Sequence, residues 1–217
     1  MAVKWLPVVQ EQRVDVLGEL VPETKNVWIG LHGYGQLVQF FSRHFRDFVT
    51  EDRAFVFPQG PHKFYLNGVS GRVGASWMTK EDRLVDIDNQ RVYLEQVRAW
   101  VAQQCPMAEI HVVAFSQGVA TGMRWLGRNE GSLGAFLAWA GSWPPDLDEK
   151  SIAGLKSTRF QGWFGTEDEF IGLEKQEEIL RHYREELELV LPYDRYEGGH
   201  RFDSAILGRE IDRLEKQ

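Results

Sequence analysis

Four short stretches carry residues whose types and spacing could do chemistry. Residues 110–120 read IHVVAFSQGVA, which sets Ser116 between a run of β-branched and aromatic residues and a segment able to start a helix. His200 follows two glycines in EGGHRF, Asp168 sits in GTEDEFI, and residues 32–36 read HGYGQ. A serine between a strand and a helix has an ordinary role, because its oxygen can accept from the unpaired amides of the first helical turn. It has a second role where the turn is tight. The residues two before and two after it must then be small, here Ala114 and Gly118, and the hydroxyl is held exposed at the carboxyl edge of a sheet. The helix start adds partial positive charge where an oxyanion would form. Taken alone, the stretch leaves cap and nucleophile both open.

A serine that transfers acyl groups needs a base, a carboxylate to orient the base, and donors for the tetrahedral oxyanion. Two histidines follow Ser116. His182 lies within LRHYREEL, a charged amphipathic segment that reads as a solvated helix, whereas His200 sits in a glycine-flanked loop after the last apolar segment. Sites in open α/β sheets collect in such loops. Three carboxylates compete for the acid position, Glu167, Asp168 and Glu169. Asp168 is favoured because Phe170 and Ile171 follow it and would shield a carboxylate–imidazole hydrogen bond from water, with Glu167 and Glu169 as alternatives. The glycine-flanked HGYG turn resembles, in its place after the first apolar run, the turn that supplies the other oxyanion donor in an α/β-hydrolase, which makes the amides of Tyr34 and Gln117 the expected donors. One such donor is typically worth about 2.7–4 kcal/mol in the transition state.

The elements that must position these residues alternate short apolar runs with longer amphipathic segments, the pattern of an α/β protein with a mainly parallel sheet and helices on both faces. Strands are expected at Asn26–Leu31, Arg53–Phe57, Ile110–Phe115, Gly134–Ala140, Thr158–Phe164 and Leu187–Tyr196, with an edge strand pair over Val8–Leu20. Leu84, Ile87, Leu94, Val97 and Val101 recur at helical spacing, which predicts a long helix over Asp82–Gln104 ending before Pro106. Further helices fit Leu37–Val49, Gln117–Arg128, Leu173–Tyr183 and Asp203–Lys216.

With 217 residues, 43% of them hydrophobic, one domain over residues 1–217 is expected. The net charge of −7 argues against nucleic acid or an anionic membrane as partner, since phosphate binding needs clustered Lys and Arg. The opening MAVKWLPVVQEQ reaches Glu11 before any apolar run of signal-peptide length, and no segment is long enough for stable membrane insertion. The single Cys105 allows no internal disulfide and no cysteine-rich metal site, which fits a cytoplasmic location. Cys105 and His111 read as structural. The remaining histidines are too scattered for zinc, and Val38 stands where a dinucleotide fingerprint would need its third glycine. Neither metal nor cofactor is expected. The sequence sets no oligomeric state.

Together LHGYG, AFSQG, GTEDEFI and GGH resemble the phospholipase/carboxylesterase branch of the α/β-hydrolases, which includes the acyl-protein thioesterases; the likeness runs from about Asn26 to the C-terminus. The resemblance implies an α/β-hydrolase fold without a separate lid domain. It also implies a serine carboxylesterase acting through an acyl-enzyme on small-molecule carboxylic esters, with thioesters and lysophospholipid esters within the class. The alternative is a hydrolase-like ligand-binding module that has lost catalysis. Two further stretches, Gly74–Trp77 and Ala140–Pro144, match loops that border the acyl pocket in that branch, which assigns Trp77 and Trp143, with Phe170, to substrate contact. Three positions depart from the branch: Gln36 replaces a frequent acidic residue, and Ala114 and Val119 stand where glycine is common.

Overall fold

The computed structural model describes residues 3–128 and 133–216, without the side chain of Arg128. The expected domain of residues 1–217 also contains residues 1, 2, 129–132 and 217, which lie outside the described residues.

Among the described residues nine strands form: β1 (Val14–Leu17), β2 (Asn26–Leu31), β3 (Arg53–Pro58), β4 (His62–Tyr65), β5 (Val73–Ser76), β6 (Glu109–Phe115), β7 (Ala135–Trp139), β8 (Arg159–Gly165) and β9 (Tyr193–Tyr196). Seven of them make one sheet in the order β1-β3-β2-β6-β7-β8-β9, while β4 and β5 pair separately as an antiparallel hairpin. Only β1 runs antiparallel in the large sheet. This is the mainly parallel α/β sheet that the alternating pattern predicts, and the α/β-hydrolase type of fold that the resemblance implies, with no lid domain among the described residues.

Both faces of the sheet are covered, which explains why the central strands read as continuous apolar runs. Alternation still sorts them. On one face Val27, Ile29, Leu31, Val112 and Ala114 pack with helices α2 (Arg83–Gln104), α3 (Gln117–Trp125), α4 (Glu149–Ser157) and α5 (Leu173–Glu185). On the other, Trp28, Phe55, Phe57, Val113 and Phe115 meet α1 (Val38–Phe41), the 3-10 turns that continue it to Phe48, and α6 (Ser204–Glu215).

Several expected boundaries are corrected. The segment Val8–Leu20 gives the single strand β1 instead of a pair: β3 has one free edge for it to fill, and Gly18 at φ 82° ends the pairing. Leu187–Tyr196 shortens to β9, because Glu188 sits at φ 48° and Pro192 again lacks an N–H. The Leu37–Val49 helix is one α turn followed by 3-10 turns. In α2, Leu84 is 67% exposed; the buried stripe starts at Ile87 and runs through Gln90, whose amide donates to Trp77 O at 2.6 Å. The hairpin β4–β5 escapes the pattern because HKFY and VGAS are short and only partly apolar. Helix α4 fills the room between Ser116 and Asp168, with Asp148 accepting from Ser151 N at 2.8 Å as its cap.

A polar cluster ties α6 to the sheet at the ends of β2 and β3 away from Ser116. Glu215 accepts from Trp28 Nε1 at 2.7 Å and from Arg53 Nε at 2.6 Å, with both charged side chains nearly buried. Removing Glu215 leaves the indole N–H without its partner and Arg53 with only Asp212 and the Phe48 carbonyl. Glu215→Ala should therefore cost about 2–4 kcal/mol. A thermal melt should show a midpoint lowered by roughly 5–15 °C for a chain of this size.

Candidate active site

The turn from β6 into α3 places Ser116 at φ 53° and ψ −118°, a conformation that non-glycine residues rarely adopt. Its hydroxyl makes no cap hydrogen bond to α3. Of the two roles the sequence leaves open, the cap is thus not used. The turn has no room to relax: a Cβ on Gly118 would lie 2.2 Å from Leu31 O, and one on Gly33 would lie 3.0 Å from Ser116 Cβ. Ala114, one of the departures from the branch, pairs with Leu31 and Ala138 and fits without displacing them. Val119, another, fills space that Gly141 leaves open, where a Cβ would come within 2.3 Å of Val119 Cγ2.

Ser116 Oγ lies 2.9 Å from His200 Nε2, and His200 Nδ1 lies 2.8 Å from Asp168 Oδ2. The carboxylate can only accept, so Nδ1 carries the proton and Nε2 is free to accept from the serine hydroxyl. Asp168 is buried, and its other oxygen accepts from Phe170 N and Ile171 N, both at 2.9 Å. Of the competing carboxylates, Glu169 accepts from the His200 backbone N–H at 3.2 Å and so supports the loop, while Glu167 is exposed. His182, as the sequence suggests, stays apart in α5, with its Nε2 near Pro145 O at 3.2 Å.

The His200 loop is held from beneath by residues that sequence reasoning missed. Tyr196 OH donates to Arg201 O at 2.6 Å and lies 2.8 Å from Gly199 O, while Trp139 Nε1 donates to Arg201 O at 2.9 Å. Phe115 and Phe170 pack against the imidazole with centroids 4.9 and 4.8 Å away. The only available signal was Tyr196, four residues before His200 at the strand end.

The HGYG turn closes the other side. His32 is buried; its Nδ1 donates to Gly33 O at 2.7 Å, and its Nε2 accepts from Gly60 N and Gln59 Nε2, both at 2.9 Å. Burial pushes its imidazole down to about 4, outweighing the contact with Gly33 O. Gly33 N donates to Gln36 Oε1 at 2.8 Å and Gly35 N to Ala75 O at 2.8 Å. The amides of Tyr34 and Gln117 have no protein acceptor among the described residues. The Gln117 side chain accepts from Trp77 N at 3.0 Å and donates to Met78 O at 2.9 Å, fastening the loop after β5.

Ser116, Gln117, Tyr34, Phe170 and His200 line one cavity of about 510 Å³, together with Gln36, Ala120, Ser142 and Ile171. The expectation for the two tryptophans is corrected. Trp77 is fully buried, with Nε1 donating to His32 O at 2.8 Å, and Trp143 packs on Phe160, Phe164 and Tyr183 inside the core. Each supports the wall without lining it, because its flat ring finds more apolar contact behind the loop than at its mouth. Cys105 is buried, and burial raises its thiol pKa, which fits a structural role. Among the described residues no group of three or more His, Cys, Asp or Glu is placed to hold a metal ion. None of their helices is long and apolar enough to cross a membrane.

The family model described as Phospholipase/Carboxylesterase matches residues 19–216. The chain belongs to this family. Its members' shared character is that of an ester-hydrolysing enzyme, and the fold and spacing of this chain agree with it. Solved structures resemble it at low identity. Esterase PE8 is 20% identical at a TM-score of 0.71, over 94% of this chain and 100% of that one. Acyl-protein thioesterase 2 of Zea mays is 13% identical at a TM-score of 0.71, again over 94% and 100%. The Bacillus cereus carboxylesterase is 14% identical at 0.67, over 94% of each chain. These likenesses establish the fold. A comparison with curated proteins gave no match.

Two outcomes test this geometry. Gly118→Ala should lose about 1–3 kcal/mol in urea unfolding, because the added methyl meets the Leu31 carbonyl and the turn cannot shift. His32 should stay neutral in NMR titration until about pH 4. The unfolded imidazole protonates near 6.5, so between about 4 and 6.5 the unfolded state binds the extra proton. The His32 contribution to stability therefore rises with pH through that window.

Proposed function

We propose that the protein is a serine carboxylesterase in which Ser116, His200 and Asp168 carry out two-step acyl transfer. His200 Nε2 takes the proton of Ser116 Oγ as the oxygen attacks an ester carbonyl, and Asp168 holds the resulting imidazolium. The amides of Tyr34 and Gln117 bind the oxyanion. His200 then returns the proton to the departing alcohol, and in the second step it activates the water that releases the acid from Ser116. Small-molecule carboxylic esters are the substrates, with thioesters and lysophospholipid esters as further members of the class. Nothing in these proton transfers calls for a metal or cofactor. The same reading has the chain working as a single domain in the cytoplasm.

The observation that carries this reading is the continuous path Asp168–His200–Ser116, with links of 2.8 and 2.9 Å, on a cavity also lined by Tyr34 and Gln117, whose backbone N–H groups lack protein acceptors among the described residues. A helix start behind Ser116 adds favourable potential for the developing negative charge.

A fluorophosphonate probe should label the wild type stoichiometrically at Ser116, and Ser116→Ala should neither label nor turn over nitrophenyl esters. Ser116→Ala with wild-type hydrolysis would instead support a non-catalytic module carrying an incidental activity. Asp168→Asn should lower kcat by about 10⁴-fold with the fold intact, because the amide favours the wrong imidazole tautomer. A series of nitrophenyl esters of rising acyl length, run beside an acyl thioester, ranks the substrates.

A further inference from the structure

We propose that Gln36 determines specificity, its side-chain amide donating a hydrogen bond to an uncharged acceptor oxygen of the substrate beside the scissile carbonyl. The inference rests on ester hydrolysis at Ser116 as read above. Gln36 stands on the turn after β2 and lines the same cavity as Ser116 and His200. Its Oε1 accepts from Gly33 N at 2.8 Å. A backbone N–H can only be met by the amide oxygen, so this contact fixes which way the amide faces. The nitrogen then carries two N–H groups with no protein acceptor among the described residues, and it is not among their buried unpartnered atoms. It is a donor left open in a site wall. The neighbouring Gln117 amide offers no such donor, because its nitrogen already donates to Ser76 Oγ at 3.1 Å and to Met78 O at 2.9 Å.

The rest of the lining narrows the partner. Among the described residues that line the cavity none is Lys, Arg, Asp or Glu. A carboxylate or phosphate buried there would lose its water without meeting a fixed positive charge, whereas an ether, ester or amide oxygen needs one donor. The substrate class that fits is an uncharged ester carrying a second oxygen acceptor in its acyl or its alcohol portion.

The test compares isosteric esters that exchange one methylene for oxygen. Butyl pentanoate is set against butyl 3-methoxypropanoate for the acyl side and against 2-methoxyethyl pentanoate for the alcohol side. Each kcat/KM is followed by proton release and divided by the ester's rate with hydroxide. The wild type should favour the ether in one pair by about three- to tenfold, as one hydrogen bond to a neutral acceptor would give. Gln36→Glu keeps an acceptor for Gly33 N and removes the donor, and Gln36→Met removes both. In each variant the ratio should fall to one or below, because the ether oxygen then loses its water without gaining a donor, and any effect of the new charge on the chemistry itself cancels within the ratio. A wild-type ratio of one in both pairs overturns the proposal, as does a wild-type preference that survives in both variants. Which pair responds assigns the acceptor to the acyl or the alcohol side. Failure of the underlying reading is separate: it appears as unlabelled Ser116, or as hydrolysis that persists in Ser116→Ala, whatever the ratios.

Discussion

Turning the chain from β6 into α3 at φ 53° without letting the helix leave the sheet is the constraint on which the surrounding structure depends. The backbone of α3 must pass so close to β2 that Gly118 nearly touches Leu31 O. That proximity brings the turn after β2 against Ser116, so one close approach sets both amides expected to face an oxyanion. It also explains why the serine makes no cap hydrogen bond. In this conformation the hydroxyl projects from the helix start toward His200 and not back along the first turn.

The strain is stored against rigid neighbours. Ser116 N donates to Trp139 O at 3.0 Å, and Trp139 Nε1 in turn donates to Arg201 O at 2.9 Å. One residue of β7 thereby fixes the backbone at the serine and the loop that carries the histidine. On the other side His32, kept neutral by burial, joins the HGYG turn to the backbone after β3 through Gly60. The serine turn is thus tied to the histidine loop, and the HGYG turn to the backbone after β3, through neutral hydrogen bonds, which salt screens little.

Much of this was legible in the sequence, and the reasons differ by residue. The strands Asn26–Leu31 and Glu109–Phe115 emerge almost to the residue because sheets covered on both faces need unbroken apolar runs. Ser116, Asp168 and His200 could be picked because each follows a strand end: small residues flank the serine turn, two glycines precede His200, and apolar Phe170 and Ile171 close the acidic run around Asp168. Choosing Asp168 over Glu169 rested on Phe170 and Ile171, and the structure adds a stronger reason: their amides, not only their side chains, hold the carboxylate. The tryptophans were misplaced because sequence gives proximity to the site without direction. Trp77 is next to Ser76 and near Gln117, yet its ring turns inward to His32. Leu84 failed for a related reason, since periodicity cannot say where along a helix the core begins.

Gln36 shows what a departure from a family pattern can mean physically. An acidic residue at this position would accept from Gly33 N as the glutamine oxygen does, but it would also set a negative charge in a cavity where the proposed reaction develops another. The amide keeps the acceptor that the turn requires and exchanges the charge for a donor. Because the turn needs only the oxygen, the second half of the side chain is free of structural duty, and its chemistry can follow the substrate without disturbing the strained serine turn beside it. Selectivity and the geometry of acyl transfer can in this way vary separately, although they share one loop.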